Sequence, residues 1–339
     1  MPLSPQSPSQ PRYGRVAVVG AGAWGTTLAA VAATAGATVM LWAREPEVVD
    51  SLARYRENRF FLPGITLPSE IEATGDIARV GGAEAVLLVA PAQHVRSQLA
   101  LLHPHIKPKT PIVLCAKGIE LGTAALLPEI LTEVLPDAEP GVLSGPSFAR
   151  DVAAGLPTAV TIAARDEIAA RLAASLGRAG FRPYVSEDIV GVALGGAAKN
   201  VYAIACGMVE GAGLGESARA ATMSRGFAEL MRLGAAIGAR SETLMGLSGL
   251  GDLVLTATSM SSRNFALGAA LGKGARLADV AGAGHPLAEG AETAPALIAR
   301  AKRHRVELPL AEAVADVLAS RIDMRGAVER LLSRPLKAE

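Results

Sequence analysis

The sequence contains few of the residues that would support several common classes of protein. Aromatic residues make up only 4% of the 339 residues, there are two cysteines, and 33 basic residues are balanced by 32 acidic ones. A net charge of +1 gives no electrostatic footprint for nucleic acid or for an anionic membrane surface. Two cysteines do not make a disulfide scaffold. We expect Cys115 and Cys206, each in an apolar context, to be buried free thiols in a reducing compartment.

Signals for secretion, membrane insertion and metal binding are also missing. Residues 1–13 include a segment rich in Pro, Ser and Gln that lacks an apolar core, so we expect a disordered tail and no signal peptide. The weakly charged stretch 189–198 is short and rich in glycine, which argues against a membrane span. Among the histidines only His103 and His105 approach a ligand spacing, and the proline between them argues against a closed metal site. We expect a soluble, cytoplasmic protein without a metal.

The chain is long enough for two domains, and half of its residues are hydrophobic. Residues 14–188 alternate short apolar runs with helical stretches, which predicts an α/β domain with a doubly wound, mostly parallel sheet. The strand pattern disappears near Asp188, so residues 189–339 are predicted to form an all-helical domain, with a cleft at the junction. The predicted strands are Arg15–Val19, Thr38–Trp42, 86–90, 112–115, 140–144, Thr158–Ala163 and 181–185.

The first predicted strand runs directly into a glycine-rich turn at which a helix begins, Gly20-Ala21-Gly22-Ala23-Trp24-Gly25. Gly20 permits the sharp turn, Gly22 lets the backbone approach a diphosphate, and Gly25 lets the helix pack closely on the strand. The free N–H groups of the helix start would face the phosphates. An ordinary glycine turn is the alternative, but the strand, turn and helix together predict a Rossmann-type dinucleotide-binding domain.

The residues after the second predicted strand bear on which dinucleotide is bound. The guanidinium of Arg44 would suit a ribose 2′-phosphate, as found in NADP, through a bidentate contact. Glu45 is the competing candidate, because NAD-selecting folds place a carboxylate here for the 2′-hydroxyl. Arg44 could also be a solvated surface charge. The pattern favours NADP and leaves NAD open.

Lysine is rare in this chain, where only seven of the 33 basic residues are Lys, so a lysine in an apolar setting stands out. Lys117 follows the strand 112–115, at the carboxyl edge where parallel sheets bind ligands. Lys199 lies in the otherwise uncharged stretch 190–209, where a buried charge must be paired or have a shifted pKa. A surface-loop Lys117 and a Lys199 that extends to water are the alternatives. In the functional interpretation, burial near Lys117 lowers the pKa of Lys199, which then transfers a proton during hydride chemistry.

A third cluster follows the sequence Gly249-Leu250-Gly251-Asp252. Asp252 begins a predicted helix, so it either caps that helix or pairs with Lys199 and sets its proton affinity. Further along, Ser262-Arg263-Asn264 provides a hydroxyl, a planar guanidinium and an amide, which suit a substrate phosphate. A second capping turn is the alternative for these three residues.

Together these blocks resemble the bacterial NAD(P)-dependent glycerol-3-phosphate dehydrogenase family. The resemblance runs from about residue 14 to residue 332, and its blocks are dense. It implies interconversion of dihydroxyacetone phosphate and sn-glycerol 3-phosphate, which supplies phospholipid synthesis, and it implies a homodimer. Besides the glycine-rich turn, the matching blocks are 58–65 (an asparagine-to-leucine-proline-glycine loop), 115–120, 143–149, 194–201 and 249–256.

The resemblance also implies roles for individual residues. Lys199 would be the proton donor and acceptor at the C2 oxygen, with Lys117, Asp252 and Thr256 completing the catalytic set. Contacts with the glycerol phosphate are implied for Lys117, Gly145, Ser147, Lys199, Asp252, Ser262, Arg263 and Asn264. Contacts with the dinucleotide are implied for Gly20, Gly22, Ala23, Trp24, Gly25, Arg44, Lys117, Ala149, Arg263, Leu287 and Glu289. The chain departs from the family pattern at Ala193, which is commonly polar, and at Leu287, which is more often Val.

Two other functions use similar features. A β-hydroxyacid dehydrogenase, such as one acting on 6-phosphogluconate, also joins a dinucleotide fold to a helical domain, but a carboxylate substrate needs no combination of Lys117 with Ser262-Arg263-Asn264. A non-catalytic NAD(P) sensor would keep the fold without needing Lys199 or Asp252, and both are present.

Overall fold

An eight-stranded sheet organises the first half of the chain in the computed structural model, which describes residues 11–281 and 288–333. Its spatial order is β3-β2-β1-β4-β5-β6-β7-β8. The pairs from β3 through β6 are parallel, β6 pairs with β7 antiparallel, and β7 with β8 is again parallel. The strands are β1 (Arg15–Val19), β2 (Thr38–Trp42), β3 (Ile71–Thr74), β4 (Ala85–Leu88), β5 (Pro111–Leu114), β6 (Glu139–Ser144), β7 (Thr158–Ala163) and β8 (Phe181–Ser186).

Helices connect the strands of the sheet. After β8 the described residues form helices and no further strands. In the sheet region they are α1 (Ala23–Thr34), α2 (Pro46–Tyr55), α3 (Val95–Leu102), α4 (Leu127–Val134), α5 (Ala149–Ala153) and α6 (Asp166–Leu176). The later ones are α7 (Ile189–Gly211), α8 (Glu216–Ile237), α9 (Ser241–Met245), α10 (Asp252–Ala257), α11 (Arg263–Gly272), α12 (Leu277–Ala281), α13 (Glu289–Arg303), α14 (Pro309–Leu318) and α15 (Met324–Leu332).

This architecture confirms the predicted fold class, a doubly wound sheet followed by helices. All seven predicted strands are present, with ends that differ by one or two residues at most. The sequence analysis missed β3, because it has only four residues and lies at the sheet edge, where its middle two residues, Glu72 and Ala73, break any apolar run. Tyr13, assigned from the sequence to a disordered tail, is instead buried, and its N–H donates to Ser175 Oγ.

The helix α7 is the centre of the second half. It is long and apolar enough to cross a membrane, yet 83% of its most apolar window is buried inside the protein, so it is a core helix. Asp188 caps its start by accepting a hydrogen bond from Gly191 N at 2.7 Å. Cys206 on α7 and Cys115 after β5 are both buried free thiols, as predicted.

Candidate active site

The glycine-rich turn joins β1 to α1 with the backbone geometry that the sequence predicts. Gly20 has a φ of +110°, and a Cβ atom there would lie 2.7 Å from Val89 O. A Cβ atom at Gly25 would lie 1.8 Å from Gly20 O, so only glycine lets α1 start this close to the turn. At Gly22 an added Cβ would meet no atom within 4 Å. Packing inside the protein therefore does not require this glycine, and the space beside it is open to a ligand.

A cleft of about 1080 Å³ begins at this turn and extends between the sheet and the helices that follow it. Trp24 lines it, and the buried Trp24 Nε1 has no hydrogen-bond partner within the described residues. Of the predicted site residues, those that line the cleft are Gly20, Gly22, Ala23, Trp24, Gly25, Arg44, Lys117, Ser147, Ala149, Lys199, Thr256, Ser262, Arg263, Asn264 and Glu289. Leu287 lies outside the described residues. An open turn, an uncapped helix start and a long cleft fit a dinucleotide.

Arg44 and Glu45 lie together at the end of β2, on the wall of the cleft. Arg44 Nη2 is 2.8 Å from Glu45 Oε1, and the Arg44 side chain is 73% exposed. The guanidinium is thus accessible to a ligand, and it forms an ion pair with the competing carboxylate. Both candidates for reading the ribose 2′ position are in place, and they are paired with each other.

Lys199, Asp252 and Lys117 form a buried charge cluster at the inner part of the site. Lys199 Nζ lies 2.8 Å from Asp252 Oδ1, and Lys117 Nζ lies 2.7 Å from Asp252 Oδ2. Lys199 Nζ also donates to Thr256 Oγ1 at 2.6 Å, and Thr256 Oγ1 donates to Asp252 Oδ1 at 3.2 Å. Lys117 Nζ donates to Gly145 O at 3.0 Å. Asp252 therefore pairs with both lysines, and its side chain does not cap α10.

Both burial and the neighbouring charges shift the pKa values of this cluster. Burial lowers the pKa of Lys199 to about 8; Asp252 opposes this shift and the positive charge of Lys117 adds to it. Burial alone would raise the pKa of Asp252, but the ammonium groups of Lys117 and Lys199 hold it below its usual value. The cluster thus holds an ionised carboxylate beside a lysine that can lose its proton near neutral pH.

Tight backbone packing brings the three side chains together. Lys199 projects from α7, where a Cβ atom at Gly196 would lie 2.6 Å from Ser144 Oγ at the end of β6. A Cβ atom at Gly195 would lie 2.8 Å from Ser248 O. Ser248 belongs to a π-helical turn, Leu247–Gly251, which leads directly into Asp252 at the first position of α10. Single π-helical turns are frequent at functional sites.

The Ser262-Arg263-Asn264 block begins α11, and its residues are used differently. Ser262 Oγ accepts a hydrogen bond from Phe265 N, the capping contact that was the alternative for this block. Asn264 Oδ1 accepts from Gly290 N at 2.9 Å. Arg263 is exposed and lines the cleft. Burial raises the pKa of Glu289, although the positive charges of Arg263 and Lys199 oppose the shift. Of the three, Arg263 is the side chain most available to a ligand.

Asn200 is a further site residue to which the sequence analysis gave no role. Asn200 Nδ2 donates to Lys117 O at 2.9 Å, and Asn200 Oδ1 accepts from Asn264 Nδ2 at 2.9 Å. These bonds connect the loop after β5 to α7 and α11 beside the two lysines. The available signal was an amide within the uncharged stretch that also contains Lys199.

Known proteins share both halves of this arrangement. The N-terminus model of NAD-dependent glycerol-3-phosphate dehydrogenase matches residues 15–170, and the C-terminus model matches residues 188–329. The chain belongs to the NAD-dependent glycerol-3-phosphate dehydrogenase family. This membership confirms the resemblance that the sequence blocks indicated.

Individual members of this family are similar over nearly their whole length. A glycerol-3-phosphate dehydrogenase [NAD(P)+] of Parvibaculum lavamentivorans is 56% identical, covering 96% of this chain and 98% of the relative. The protein of the same name from Rhodospirillum rubrum is 54% identical, covering 96% and 93%. The crystal structure of glycerol-3-phosphate dehydrogenase from Coxiella burnetii superimposes with a TM-score of 0.90 at 38% identity, covering 95% of this chain and 99% of that one.

Proposed function

We propose that this chain reduces dihydroxyacetone phosphate to sn-glycerol 3-phosphate with NADPH or NADH, and catalyses the reverse reaction. The observation that carries the proposal is the buried cluster in which Asp252 pairs with Lys117 and Lys199 beside a dinucleotide cleft. Family membership supports the same chemistry. A dinucleotide sensor would have no use for a buried lysine with a lowered pKa.

The dinucleotide is held by the chain's own backbone and by side chains along the cleft. The glycine-rich turn would bind the diphosphate and Arg44 the adenosine ribose, and Ala149 and Glu289, which line the same cleft, would contact the dinucleotide further along. When bound, the reduced nicotinamide supplies a hydride to carbon 2 of the ketone. The exposed guanidinium of Arg44 makes NADPH the preferred form in this proposal. Glu45 weakens that preference because its carboxylate pairs with the same guanidinium.

Lys199 supplies the proton that the hydride transfer requires. As carbon 2 gains the hydride, the carbonyl oxygen becomes an alkoxide, and the protonated amine of Lys199 transfers a proton to it. The ketone has then gained one hydride and one proton, and the neutral amine of Lys199 regains a proton from water. Asp252 and Thr256 hold Lys199 Nζ in place at 2.8 and 2.6 Å. In the oxidation direction the neutral amine accepts the proton of the alcohol.

The phosphate of the substrate is bound by positive charge on the cleft wall. Arg263 offers a planar set of donors, and the Ser262 hydroxyl, which accepts from Phe265 N, keeps its hydrogen for the ligand. Lys117 adds a positive charge, and Ser147 and Gly145 lie beside it, with the Gly145 carbonyl accepting from both Lys117 Nζ and Ser147 Oγ. We propose that the enzyme is a cytoplasmic homodimer that supplies phospholipid synthesis.

The test is NADPH oxidation with dihydroxyacetone phosphate, compared with NADH and with unphosphorylated dihydroxyacetone. We expect rapid oxidation that requires the phosphate and is lost in Lys199→Ala. Turnover on a β-hydroxyacid or its keto form, with none on dihydroxyacetone phosphate, would replace the proposal with that class of dehydrogenase. Tight dinucleotide binding without turnover on any ketone would indicate a sensor.

A further inference from the structure

The loop between α2 and β3 contains a fully buried asparagine, Asn58, that the proposed reaction does not use. Its side chain is 0% exposed although the neighbouring Phe60 and Phe61 are largely exposed. A buried amide must have hydrogen-bond partners, and those partners show what it positions. Asn58 Nδ2 donates to Ala21 O at 2.7 Å and to Thr26 Oγ1 at 2.8 Å. Ala21 belongs to the glycine-rich turn, and Thr26 belongs to α1.

The Ala21 carbonyl is significant because of the peptide it belongs to. The described peptide bonds are all trans, so the carbonyl of Ala21 and the N–H of Gly22 point in opposite directions in one plane. Gly22, on one side of this peptide, has no Cβ and so leaves the peptide freer to rotate than one between two larger residues. A donor that holds the Ala21 carbonyl therefore also fixes the direction of the N–H of Gly22, a residue that lines the cleft and has open space beside it.

Asn58 also accepts hydrogen bonds from the loop that forms the cleft wall, through its side-chain oxygen and its backbone oxygen. Asn58 Oδ1 accepts from Phe61 N at 3.1 Å, and Asn58 O accepts from Leu62 N at 2.9 Å. Phe61, Leu62 and Pro63 line the same cleft as the glycine-rich turn. One buried side chain thus joins the backbone of the turn to the loop that faces it.

We propose that Asn58 is a positioning residue for the dinucleotide: it fixes the 21–22 peptide so that the Gly22 N–H is oriented for the diphosphate before the ligand arrives. A site oriented in advance binds more tightly because less order is lost on binding. The effect applies to NADPH and NADH equally, since both contain the diphosphate. The proposal rests on the proposed function only for the identity of the ligand.

The test is calorimetric titration of the full-length protein with NADPH and with NADH, without substrate. In Asn58→Ser the hydroxyl ends one bond short of the amide, so we expect both dissociation constants to rise about tenfold, with their ratio unchanged. At saturating cofactor we expect kcat to stay within about threefold of the unsubstituted protein. The control is Phe60→Ala, in the same loop but outside the cleft lining, for which we expect both constants to stay within about twofold.

A second variant covers the case in which Asn58→Ser does not fold. Thr26→Val keeps the buried volume but removes the hydroxyl that accepts from Asn58 and donates to Ala21 O at 3.3 Å. We expect both dissociation constants to rise about threefold. Unchanged constants in a folded Asn58→Ser protein, or in Thr26→Val, would overturn the proposal, as would a change confined to one dinucleotide. Because these titrations contain no substrate, failure of the proposed reaction would not produce the same result.

Discussion

Lys199 Nζ lies 2.8 Å from Asp252 Oδ1, and the Asp252 side chain is only 1% exposed. A carboxylate this deeply buried is costly unless it is paired, and here it is paired twice, because Lys117 binds its other oxygen. The arrangement leaves one more positive than negative charge beside the cleft. It therefore suits a reaction in which negative charge develops on a substrate oxygen and a proton must follow.

Removal of the Lys199 amine should affect chemistry more than binding. In Lys199→Ala we expect kcat to fall by about 10²–10⁴-fold, since general acid catalysis contributes on that order. The dissociation constant of NADPH should stay within about threefold, because the amine acts on the substrate oxygen. Steady-state kinetics check the fall in kcat, and titration with NADPH checks the dissociation constant. A variant that kept most of its kcat would remove Lys199 from the role of proton donor.

Arg263 should act on the substrate phosphate. In Arg263→Ala we expect the KM for dihydroxyacetone phosphate to rise about tenfold or more, the loss expected for a charge-assisted hydrogen bond. The slow residual activity expected on unphosphorylated dihydroxyacetone is the matched control, and it should change little because that ketone has no phosphate. An unchanged KM for dihydroxyacetone phosphate would place the phosphate site elsewhere in the cleft.

The Arg44–Glu45 pair should set the choice of dinucleotide. Arg44→Ala should raise the KM for NADPH and leave that for NADH nearly unchanged, because only NADPH contains the 2′-phosphate. Glu45→Gln should lower the KM for NADPH by about threefold, since an exposed ion pair of this kind is weak but competes directly with the ligand. Paired KM measurements for both dinucleotides check these opposite shifts. Equal changes for NADPH and NADH in Arg44→Ala would contradict the assignment.

A second buried carboxylate, Glu229 on α8, should make stability depend on pH. It accepts hydrogen bonds from Leu310 N, Ala311 N and Tyr202 Oη, and burial raises its pKa to about 7. A carboxyl whose pKa rises on folding binds its proton more tightly in the folded state. The folded state is therefore most favoured below pH 4.5, the ordinary pKa of a glutamate, and this contribution is lost as pH rises toward 7.

Unfolding free energies measured across this pH range check the effect. The loss amounts to about 3 kcal/mol, from about 1.4 kcal/mol per unit of pKa shift. Glu229→Gln should remove this decrease of the unfolding free energy with rising pH. Tyr202→Phe, which takes away only one donor, should keep it. A Glu229→Gln protein with the same pH dependence as the unsubstituted chain would show that Glu229 does not titrate in this range.

The sequence predicted most of the sheet and both lysines, because buried strands and a lysine on an apolar helix are local signals. The pairing of Asp252 with Lys117 and Lys199 was only partly predictable. Lys117 and Asp252 are 135 residues apart, and nothing local in the sequence indicates that the two meet. The same limit applies to Asn58, whose partners Ala21 and Thr26 lie in another element, and to β3, whose edge position weakens its hydrophobic pattern.

The most direct test of the account is the pH dependence of kcat in both directions. With the pKa of Lys199 lowered to about 8, reduction needs the protonated amine, so its kcat should fall as pH rises through about 8. Oxidation of sn-glycerol 3-phosphate needs the neutral amine, so its kcat should rise through the same pH. Opposite profiles that cross near pH 8 are the predicted result. Profiles that are flat there, or that move in the same direction, would contradict proton transfer by Lys199.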